Sequence, residues 1–284
     1  MSQELRSHEG WFVLHLFYGL DRMLWNELLD ESEKEAAVGS FEEVLERFRQ
    51  AENCQAHAYS VWGHKADLAV MLVDPDLHHL NEFENHLLAA LPSGVLTPIY
   101  SFTSMSEVSE YLSSGKDYDK HLREKEGLSP DSSEYQEKME SFKARMKAYT
   151  DERLYPQLPK HRVMSFYPMN KRREPEQNWY SLDFDRRKEL MGGHMVTGRK
   201  YAGKVKQLVT GSVGLDEWEW GVTLFADDPV YFKQIVYEMR YDEVSAVYAE
   251  FGDFITCLEM KVPDLFKHLR VMAASQSAPA ATSA

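Results

Sequence analysis

The sequence has 284 residues, 43% of them hydrophobic and 27% charged, so it is long and apolar enough to bury a globular core. Its 32 lysines and arginines against 46 acidic residues give a net charge of −14, which opposes nonspecific binding to nucleic acid or to anionic lipid. An anionic ligand would therefore need a local group of cations.

Apolar periodicity in the first half of the chain predicts the element order βαββαβ, which is that of a ferredoxin-like unit. One helix is predicted at residues 40–49, with Ser40 as its N-cap, and a second is expected to begin at Asp74-Pro75 and run through Leu91. The predicted strands of this half are residues 11–18, 56–62, 66–73 and 95–102.

The second half repeats this order. A helix is predicted at residues 183–201, and another begins at Asp228-Pro229, the same Asp-Pro pair that follows the hairpin of the first half. The predicted strands are residues 162–167, 205–212, 217–225 and 254–260. We therefore predict an α+β fold in which two ferredoxin-like βαββαβ units form a dimeric α+β barrel in one chain, since closure removes exposed strand edges.

A polar segment separates the two predicted units. Its Met139, Phe142, Met146 and Tyr149 form a narrow apolar stripe, which predicts a surface helix. The last residues of the chain are poor in large apolar side chains and are predicted to be disordered. The expected segments are an N-terminal ferredoxin-like unit at residues 1–110, a charged helical connector at 111–160, a C-terminal ferredoxin-like unit at 161–262 and a C-terminal tail at 263–284.

Cysteine usage and hydropathy restrict the cellular location expected for the protein. Cys54 and Cys257 lie far apart and outside any CxxC spacing, which predicts reduced thiols, a cytoplasmic protein and no structural zinc site. No segment approaches the roughly 18 consecutive apolar residues of a membrane span, and no apolar signal-peptide core precedes the first strand. The sequence thus argues against secretion and membrane insertion.

Basic residues are concentrated in one segment. Residues 160–206 contain 12 basic and five acidic side chains, a local charge of about +7 in an acidic chain. This excess is compatible with a pocket for a small, multiply charged anion, and also with a solvated basic face, which is the more common case.

His194 is the histidine whose surroundings are unusual. It follows Gly192 and Gly193 in a predicted helix, where each glycine costs about 1 kcal/mol relative to alanine, so the pair is expected to admit something bulky or to bend the helix. A lone neutral imidazole beside small residues is compatible with the proximal ligand of a haem iron, but a lone histidine is more often a structural residue. No HExxH pair, glycine-rich phosphate loop or GxSxG motif occurs.

A tyrosine adjoins the basic segment. Pro168 is predicted to end a strand, which places Tyr167 at a sheet rim beside Lys171, Arg172 and Arg173. Cations stabilise a phenolate and attract carboxylates, so Tyr167 is a candidate redox or acid-base residue next to an anion site. The alternative is an ordinary rim tyrosine beside a basic loop.

Several long motifs in this part of the chain resemble the coproheme decarboxylases of the chlorite dismutase superfamily. They are YPMNKRR at 167–173 with NWY at 178–180, LMGGHMVTGRKYAGKVKQLVTGSVGLDEWEWGVTLFADDP at 190–229, and YEMRYDEVSAVYAEFG at 237–252. The resemblance implies a homopentamer in which the C-terminal unit of each chain holds the iron porphyrin. It also implies that hydrogen peroxide drives the conversion of two propionates of Fe-coproporphyrin III to vinyl groups, which gives haem b in coproporphyrin-dependent haem biosynthesis, downstream of a coproporphyrin ferrochelatase.

Residue roles follow from the same resemblance. His194 is implied as the proximal iron ligand. Tyr167 is implied as the catalytic tyrosine, which loses an electron to the oxidised iron centre and then takes a hydrogen from the propionate β-carbon. Lys171 is implied to pair with a propionate and to assist the second decarboxylation. The other implied substrate-binding residues are Arg153, Pro168, Met169, Asn170, Gln207, Arg240 and Ser245.

Gln207 separates the alternatives within this superfamily. Chlorite dismutases place an arginine at the corresponding position, where a cation can retain and polarise a chlorine oxyanion, whereas glutamine offers only neutral dipoles. The sequence therefore favours coproheme decarboxylation over chlorite decomposition. A noncatalytic haem carrier or sensor is the third alternative.

Overall fold

A computed structural model describes residues 4–272 of the chain. The mixed α+β class predicted from the sequence is confirmed, with antiparallel strand pairing. The described residues form two compact units, one containing residues 4–6, 14–102 and 255–272, and the other containing residues 7–13 and 103–254. Within the described part of the chain, no helix is long and apolar enough to cross a membrane.

Strands and helices are interspersed along the described part of the chain. The strands are β1 (Phe12–Leu20), β2 (Gln55–Trp62), β3 (Leu68–Asp74), β4 (Leu96–Ser106), β5 (Val163–Lys171), β6 (Lys206–Gly211), β7 (Trp220–Ala226), β8 (Ala249–Phe251) and β9 (Ile255–Glu259). The helices are α1 (Arg22–Leu28), α2 (Glu31–Gln50), α3 (Leu77–Ala89), α4 (Gly115–Glu124), α5 (Ser133–Leu154), α6 (Phe184–Arg199), α7 (Val230–Met239), α8 (Glu243–Tyr248) and α9 (Val262–His268).

The first unit is built on strand β3, which is buried along its whole length. β3 pairs antiparallel with β2, and the other edge of β2 pairs antiparallel with β9. Phe266 of α9 is fully buried, and its ring lies 5.6 Å from Trp25 and 5.5 Å from Phe41 between centroids. Residues 262–268, most of which were assigned to the tail, are therefore a core helix of this unit. The predicted disordered end of the tail, residues 273–284, lies outside the described residues.

Two predicted helix starts in the first unit are wrong. Asp30 caps α2 through a capping box with Glu33, whereas Ser40 lies inside the helix and donates its hydroxyl to the Ala36 carbonyl at 3.0 Å. Asp76, not Asp74, caps α3. Apolar periodicity locates a helix but does not decide which nearby polar residue caps it, because the cap depends on the direction in which the chain enters the helix.

In the second unit, β5 pairs with β7 on one edge and with the short β8 on the other. The strand continues through Pro168, so the prediction that this proline ends it is wrong. The Pro168 carbonyl accepts the Gly252 N–H at 2.9 Å, on the β8 side and just past the last residue of β8. The N–H that proline lacks points to that same side, so no hydrogen bond to β7 is lost.

The last predicted strand of the second half occurs as β9. It pairs with β2 and groups with the first unit, whereas the unpredicted elements α8 and β8 follow α7 in the second unit. α8 is short and begins at the N-cap Asp242. This short helix positions its N-cap Asp242 and its residue Ser245, both of which belong to the candidate site described below.

Candidate functional site

The second unit contains a cavity of about 1490 Å³, which is larger than the roughly 300–1,000 Å³ of common small-molecule sites. Helix α5, expected to be a surface helix, forms part of its wall through Phe142, Met146, Tyr149 and Arg153. Three of the four residues of the apolar stripe recognised in the sequence therefore face the cavity, and Met139 does not. The length and apolar spacing of α5 could not show this, because a helix with one apolar face has the same sequence pattern whether it packs against a core or lines a ligand pocket.

Alternate residues of β5 face the cavity. Tyr167, Met169 and Lys171 line the cavity, whereas Pro168 and Asn170 do not, since successive side chains of a strand point to opposite faces. The Asn170 side-chain oxygen instead accepts the Glu219 N–H at 2.8 Å. Three of the five implied residues of this strand therefore lie in the cavity wall, and the other two lie outside it.

Tyr167 is buried, and its ring stacks on Phe254 with centroids 4.2 Å apart. Burial raises the pKa of its phenol, and the nearby Arg240 cation only partly offsets this. Tyr167 is therefore a neutral phenol at neutral pH, not the phenolate that its neighbouring cations suggested.

Lys171 differs from the two arginines that follow it, because it alone lines the cavity. Its ammonium nitrogen lies 4.3 Å from the centre of the Trp179 ring, and its backbone N–H donates to the Glu219 carboxylate at 2.7 Å. Burial lowers the pKa of Lys171 to about 8, opposed by the acidic Asp242 and Glu219. Arg172 donates to the Gln177 side chain at 2.6 Å instead.

His194 of α6 lines the same cavity, with its Nδ1 2.9 Å from an Asp242 carboxylate oxygen. The other oxygen of Asp242 accepts the Ser245 N–H at 2.9 Å as the N-cap of α8. Burial alone would raise the pKa of Asp242, but hydrogen bonds from His194 and the Ser245 backbone lower it. With Nδ1 donating to a carboxylate, Nε2 of His194 is left as a lone-pair donor for a metal.

Asp242 was not identified from the sequence. A local pattern could have identified it as a helix cap, because an aspartate three residues before Ser245, at the start of a short apolar segment, is typical of an N-cap. Its second role depends on contact with a histidine 48 positions away, which no local pattern reports.

The cavity wall holds a second histidine, His121 of α4. Its Nε2 lies 3.3 Å from a Glu126 carboxylate oxygen, and its ring stacks on Tyr118. Two histidines therefore face one cavity, and only His194 has the Nδ1–carboxylate arrangement that is typical of metal-binding histidines.

The remaining implied residues, Arg153, Gln207, Arg240 and Ser245, all line the cavity. Arg153 donates to the Val209 carbonyl at 3.1 Å, and its buried Nε has no hydrogen-bond partner among the described residues. An unpaired buried donor costs about 1–3 kcal/mol, so an acidic ligand group would relieve it.

Most of the basic excess in residues 160–206 lies outside the cavity. Arg186 pairs with Glu243 at 2.7 Å and Lys188 pairs with Asp117 at 2.8 Å, both as exposed ion pairs. The cations that line the cavity are Arg145, Arg153, Lys171, Arg199 and Arg240. Of the cations in this segment, only Lys171 and Arg199 line the cavity, and the others lie outside its wall.

The glycines before His194 leave open space. A Cβ built on Gly192 or Gly193 would meet no atom within 4 Å, so these glycines are not required by packing among the described residues. Gly198, further along α6, has closer neighbours, because its Cβ would lie 3.4 Å from both Gln207 Nε2 and a Met239 methyl, which is ordinary van der Waals contact. Packing among the described residues therefore requires a glycine at none of these three positions.

Comparison with known proteins identifies the family of this chain. The Chlorite dismutase family model matches residues 34–260. The chain is 37% identical to a heme-binding protein from Thermus thermophilus, with a TM-score of 0.76 covering 94% of this chain and 100% of that chain. The chlorite dismutase of Candidatus Nitrospira defluvii in complex with imidazole has the same fold at 16% identity, with a TM-score of 0.68 over 93% of this chain and 96% of that one. The chain therefore belongs to the chlorite dismutase family.

The described residues fit the haem group that this family binds. His194 offers a free Nε2, Arg153 has an unpaired buried Nε, and several further cations line a largely apolar cavity. Of the residues implied from the sequence, His194 would hold the iron, while Arg153, Lys171 and Arg240 would face carboxylates at the porphyrin edge.

Proposed function

We propose that this protein is a hydrogen peroxide-dependent coproheme decarboxylase, which converts two propionates of Fe-coproporphyrin III to vinyl groups and gives haem b. The observation that supports it best is that a buried neutral tyrosine, a carboxylate-bound histidine and several cations share one cavity. Each step would consume one hydrogen peroxide and one proton, release carbon dioxide and two waters, and leave a vinyl group.

Each residue would have a separate task. Hydrogen peroxide supplies the oxidising equivalents, and the iron porphyrin, when bound, would pass them to the protein. Tyr167 would give up an electron and its phenolic proton, and would then recover a hydrogen atom from the propionate β-carbon. Its raised pKa suits this role, because the phenol keeps its proton until an electron is withdrawn. Arg153, Arg240 and the Ser245 hydroxyl would hold propionates, which fixes the distance of one β-carbon from Tyr167.

Gln207 supports this reaction over chlorite decomposition. Its amide lines the cavity, beside Gly198 and Met239, and brings no positive charge to that part of the wall. A chlorine oxyanion would therefore lack the cation that chlorite dismutases offer it. The family match alone does not distinguish the two activities, so the assignment depends on Gln207 together with the cations of the cavity.

A porphyrin mass measurement tests the proposal. The porphyrin-free protein is loaded with ferric coproporphyrin III, hydrogen peroxide is added stepwise, and the porphyrin mass is followed. Two successive losses of carbon dioxide with two hydrogens are expected. Oxygen evolution from chlorite with an unchanged porphyrin would identify a chlorite dismutase instead. Tight haem b binding without reaction would identify a carrier or sensor.

The proposal extends to assembly and location. We infer a homopentamer that works in the cytoplasm and receives its substrate from a coproporphyrin ferrochelatase. Analytical ultracentrifugation of the full chain is expected to give a single species of five chains.

Replacing Asp242 by asparagine should weaken iron-porphyrin binding by about 10- to 100-fold, the usual cost of losing an outer-shell partner of a metal-binding histidine. Asparagine still caps a helix, so α8 should persist. Porphyrin titration measures the affinity, and resonance Raman spectroscopy should show a lower iron–histidine stretching frequency. Asp183→Asn, at the N-cap of α6, is the matched control and should leave both unchanged. Equal losses in the two variants would remove Asp242 from this role.

Lys171 should make substrate binding dependent on pH. Its charge is present below its pKa of about 8 and is lost as the pH rises through that value, so affinity for coproheme should fall at alkaline pH. A bound propionate raises the pKa of Lys171, so the affinity should fall from the pKa of the free protein up to the higher pKa of the complex and level off above it. Lys171→Arg should remove the fall, since arginine stays charged, and Lys171→Met should bind weakly at every pH. Identical pH profiles in wild type and Lys171→Arg would contradict this role.

A further inference from the structure

The first unit contains a cluster of metal-binding side chains that takes no part in the proposed reaction. Cys54 Sγ lies 3.2 Å from an Asp74 carboxylate oxygen and 3.6 Å from His79 Nδ1, and that oxygen lies 2.6 Å from the same nitrogen. Among residues 4–272, this is the group of three histidine, cysteine or acidic residues whose ligand atoms all lie within 4.8 Å of one another. None of the three lines the porphyrin cavity.

Three separate elements position these ligands. Cys54 immediately precedes β2, Asp74 is the last residue of β3, and the β2–β3 register begins one residue further in, at Gln55↔Val73. His79 lies in the first turn of α3, where its ring stacks on Phe48 with centroids 4.8 Å apart. The cluster is thus held by a strand pair and a helix rather than by a loop.

Hydrogen bonding and burial hold the Asp74 carboxylate in place. Its side chain is only 1% exposed, and its second oxygen accepts the Asp76 N–H at 2.7 Å. The His79 side chain is 35% exposed, so an ion can reach the cluster from the His79 side. The cluster therefore combines fixed ligands with an entry path, as a metal site requires.

The ligand spacing is close to that of a zinc site. Zinc binds sulfur at about 2.3 Å and nitrogen or oxygen at about 2.0–2.2 Å, which places tetrahedral ligand atoms roughly 3.3–3.6 Å apart. The 3.6 Å sulfur–nitrogen and 3.2 Å sulfur–oxygen distances nearly satisfy this. The 2.6 Å nitrogen–oxygen distance is a hydrogen bond that must open by about 0.7 Å, which the partly exposed His79 ring can provide.

Charge and ligand chemistry select the ion. One thiolate and one carboxylate neutralise a divalent cation, so the loaded site would carry no net charge in its buried surroundings. A sulfur ligand disfavours Mg²⁺ and Ca²⁺, whereas a mixed sulfur, nitrogen and oxygen set suits Zn²⁺. We propose that Cys54, Asp74 and His79 bind a zinc-class divalent cation, with water as the fourth ligand.

This proposal departs from the expectation that the protein has no structural zinc site. That expectation rested on the absence of CxxC spacing, and here the three ligands come from positions that only the fold brings together. Zinc binds the thiolate and not the thiol, so ion binding must displace the Cys54 proton and should tighten as the pH rises.

A metal titration of the full-length, porphyrin-free chain tests the proposal. After treatment with a chelator, Zn²⁺ is titrated against a chromophoric competitor, and one equivalent should bind. Co²⁺ in place of Zn²⁺ should give a thiolate-to-cobalt charge-transfer band in the near ultraviolet. Absence of both stoichiometric binding and the thiolate band would overturn the site.

Matched variants locate the ligands. Cys54→Ser and His79→Gln should each weaken Zn²⁺ binding by more than the roughly 10- to 100-fold that loss of an outer-shell partner costs. The controls are Cys257→Ser, which changes the other buried cysteine, and His78→Gln, which changes the neighbouring histidine of α3. Both controls should bind Zn²⁺ like wild type. Equal binding in all four variants would overturn the proposal.

X-ray absorption of the zinc-loaded wild-type chain guards against variants that fail to fold. It should show one sulfur at about 2.3 Å and nitrogen or oxygen neighbours at about 2.0–2.2 Å. A first shell without sulfur would overturn the proposal even if zinc binds elsewhere on the chain.

Discussion

The Tyr167→Phe variant is expected to bind iron porphyrin almost as tightly as the wild type and to lose decarboxylation. Phenylalanine keeps the stack on Phe254 and the edge contact with Phe251, so the cavity wall should be unchanged. Only the phenolic O–H is removed, which is the group that the proposed reaction oxidises. Removing a participant in the reacting step lowers kcat rather than raising KM, here by at least about 100-fold.

The measurement is the porphyrin mass after stoichiometric hydrogen peroxide, in parallel with a porphyrin titration. Tyr201→Phe is the matched control, because Tyr201 bonds Glu238 at 2.9 Å and does not line the cavity. It should decarboxylate coproheme normally. Normal turnover in Tyr167→Phe would remove this tyrosine from the mechanism, while failure of the wild type itself would refute the proposed function.

The His194→Ala variant is expected to lose the spectrum of histidine-ligated iron porphyrin. Its affinity should fall by more than the roughly 10- to 100-fold predicted for Asp242→Asn, since the ligand itself is removed. Added imidazole should restore the histidine-like spectrum, because the alanine leaves a space of that shape beside the Asp242 carboxylate. The Soret and visible bands measure both effects.

His121→Ala decides between the two cavity histidines. His121 faces the same cavity but contacts Glu126 through Nε2, so its removal should leave the histidine-ligated spectrum intact. Loss of that spectrum in His121→Ala, with retention in His194→Ala, would exchange the two assignments. This comparison is independent of catalysis, and therefore holds even if the porphyrin is bound but not converted.

The order of strands and helices could be predicted to a large extent from sequence. β1, β2, β3, β6 and β7 are apolar or alternating runs whose period is local, and α6 begins within one residue of the predicted start, with Asp183 as its N-cap. Tyr167 and His194 could be singled out because each lies in an unusual local setting, a proline and three cations in one case and a Gly-Gly pair in the other.

Residues whose role depends on a distant partner were missed or misjudged. Asp242 acts on His194 across 48 positions, and α5 faces a cavity that its own sequence does not reveal. Tyr167 was a candidate redox or acid-base residue because cations close in sequence stabilise a phenolate. Burial is set by the whole unit, and here it raises the pKa of Tyr167 instead.

The basic segment of this acidic chain separates the properties that the sequence determines from those that the folded structure determines. The sequence by itself determined the net charge and most of the order of strands and helices, and it singled out Tyr167 and His194, since these depend on composition and local pattern, whereas Lys171 became a candidate through the family resemblance. Only the tertiary structure decided that Lys171 faces the cavity while Arg186 and Lys188 form exposed ion pairs. The reason is that strand alternation, burial and pairing partners are properties of the folded chain, whereas charge is a property of the residue.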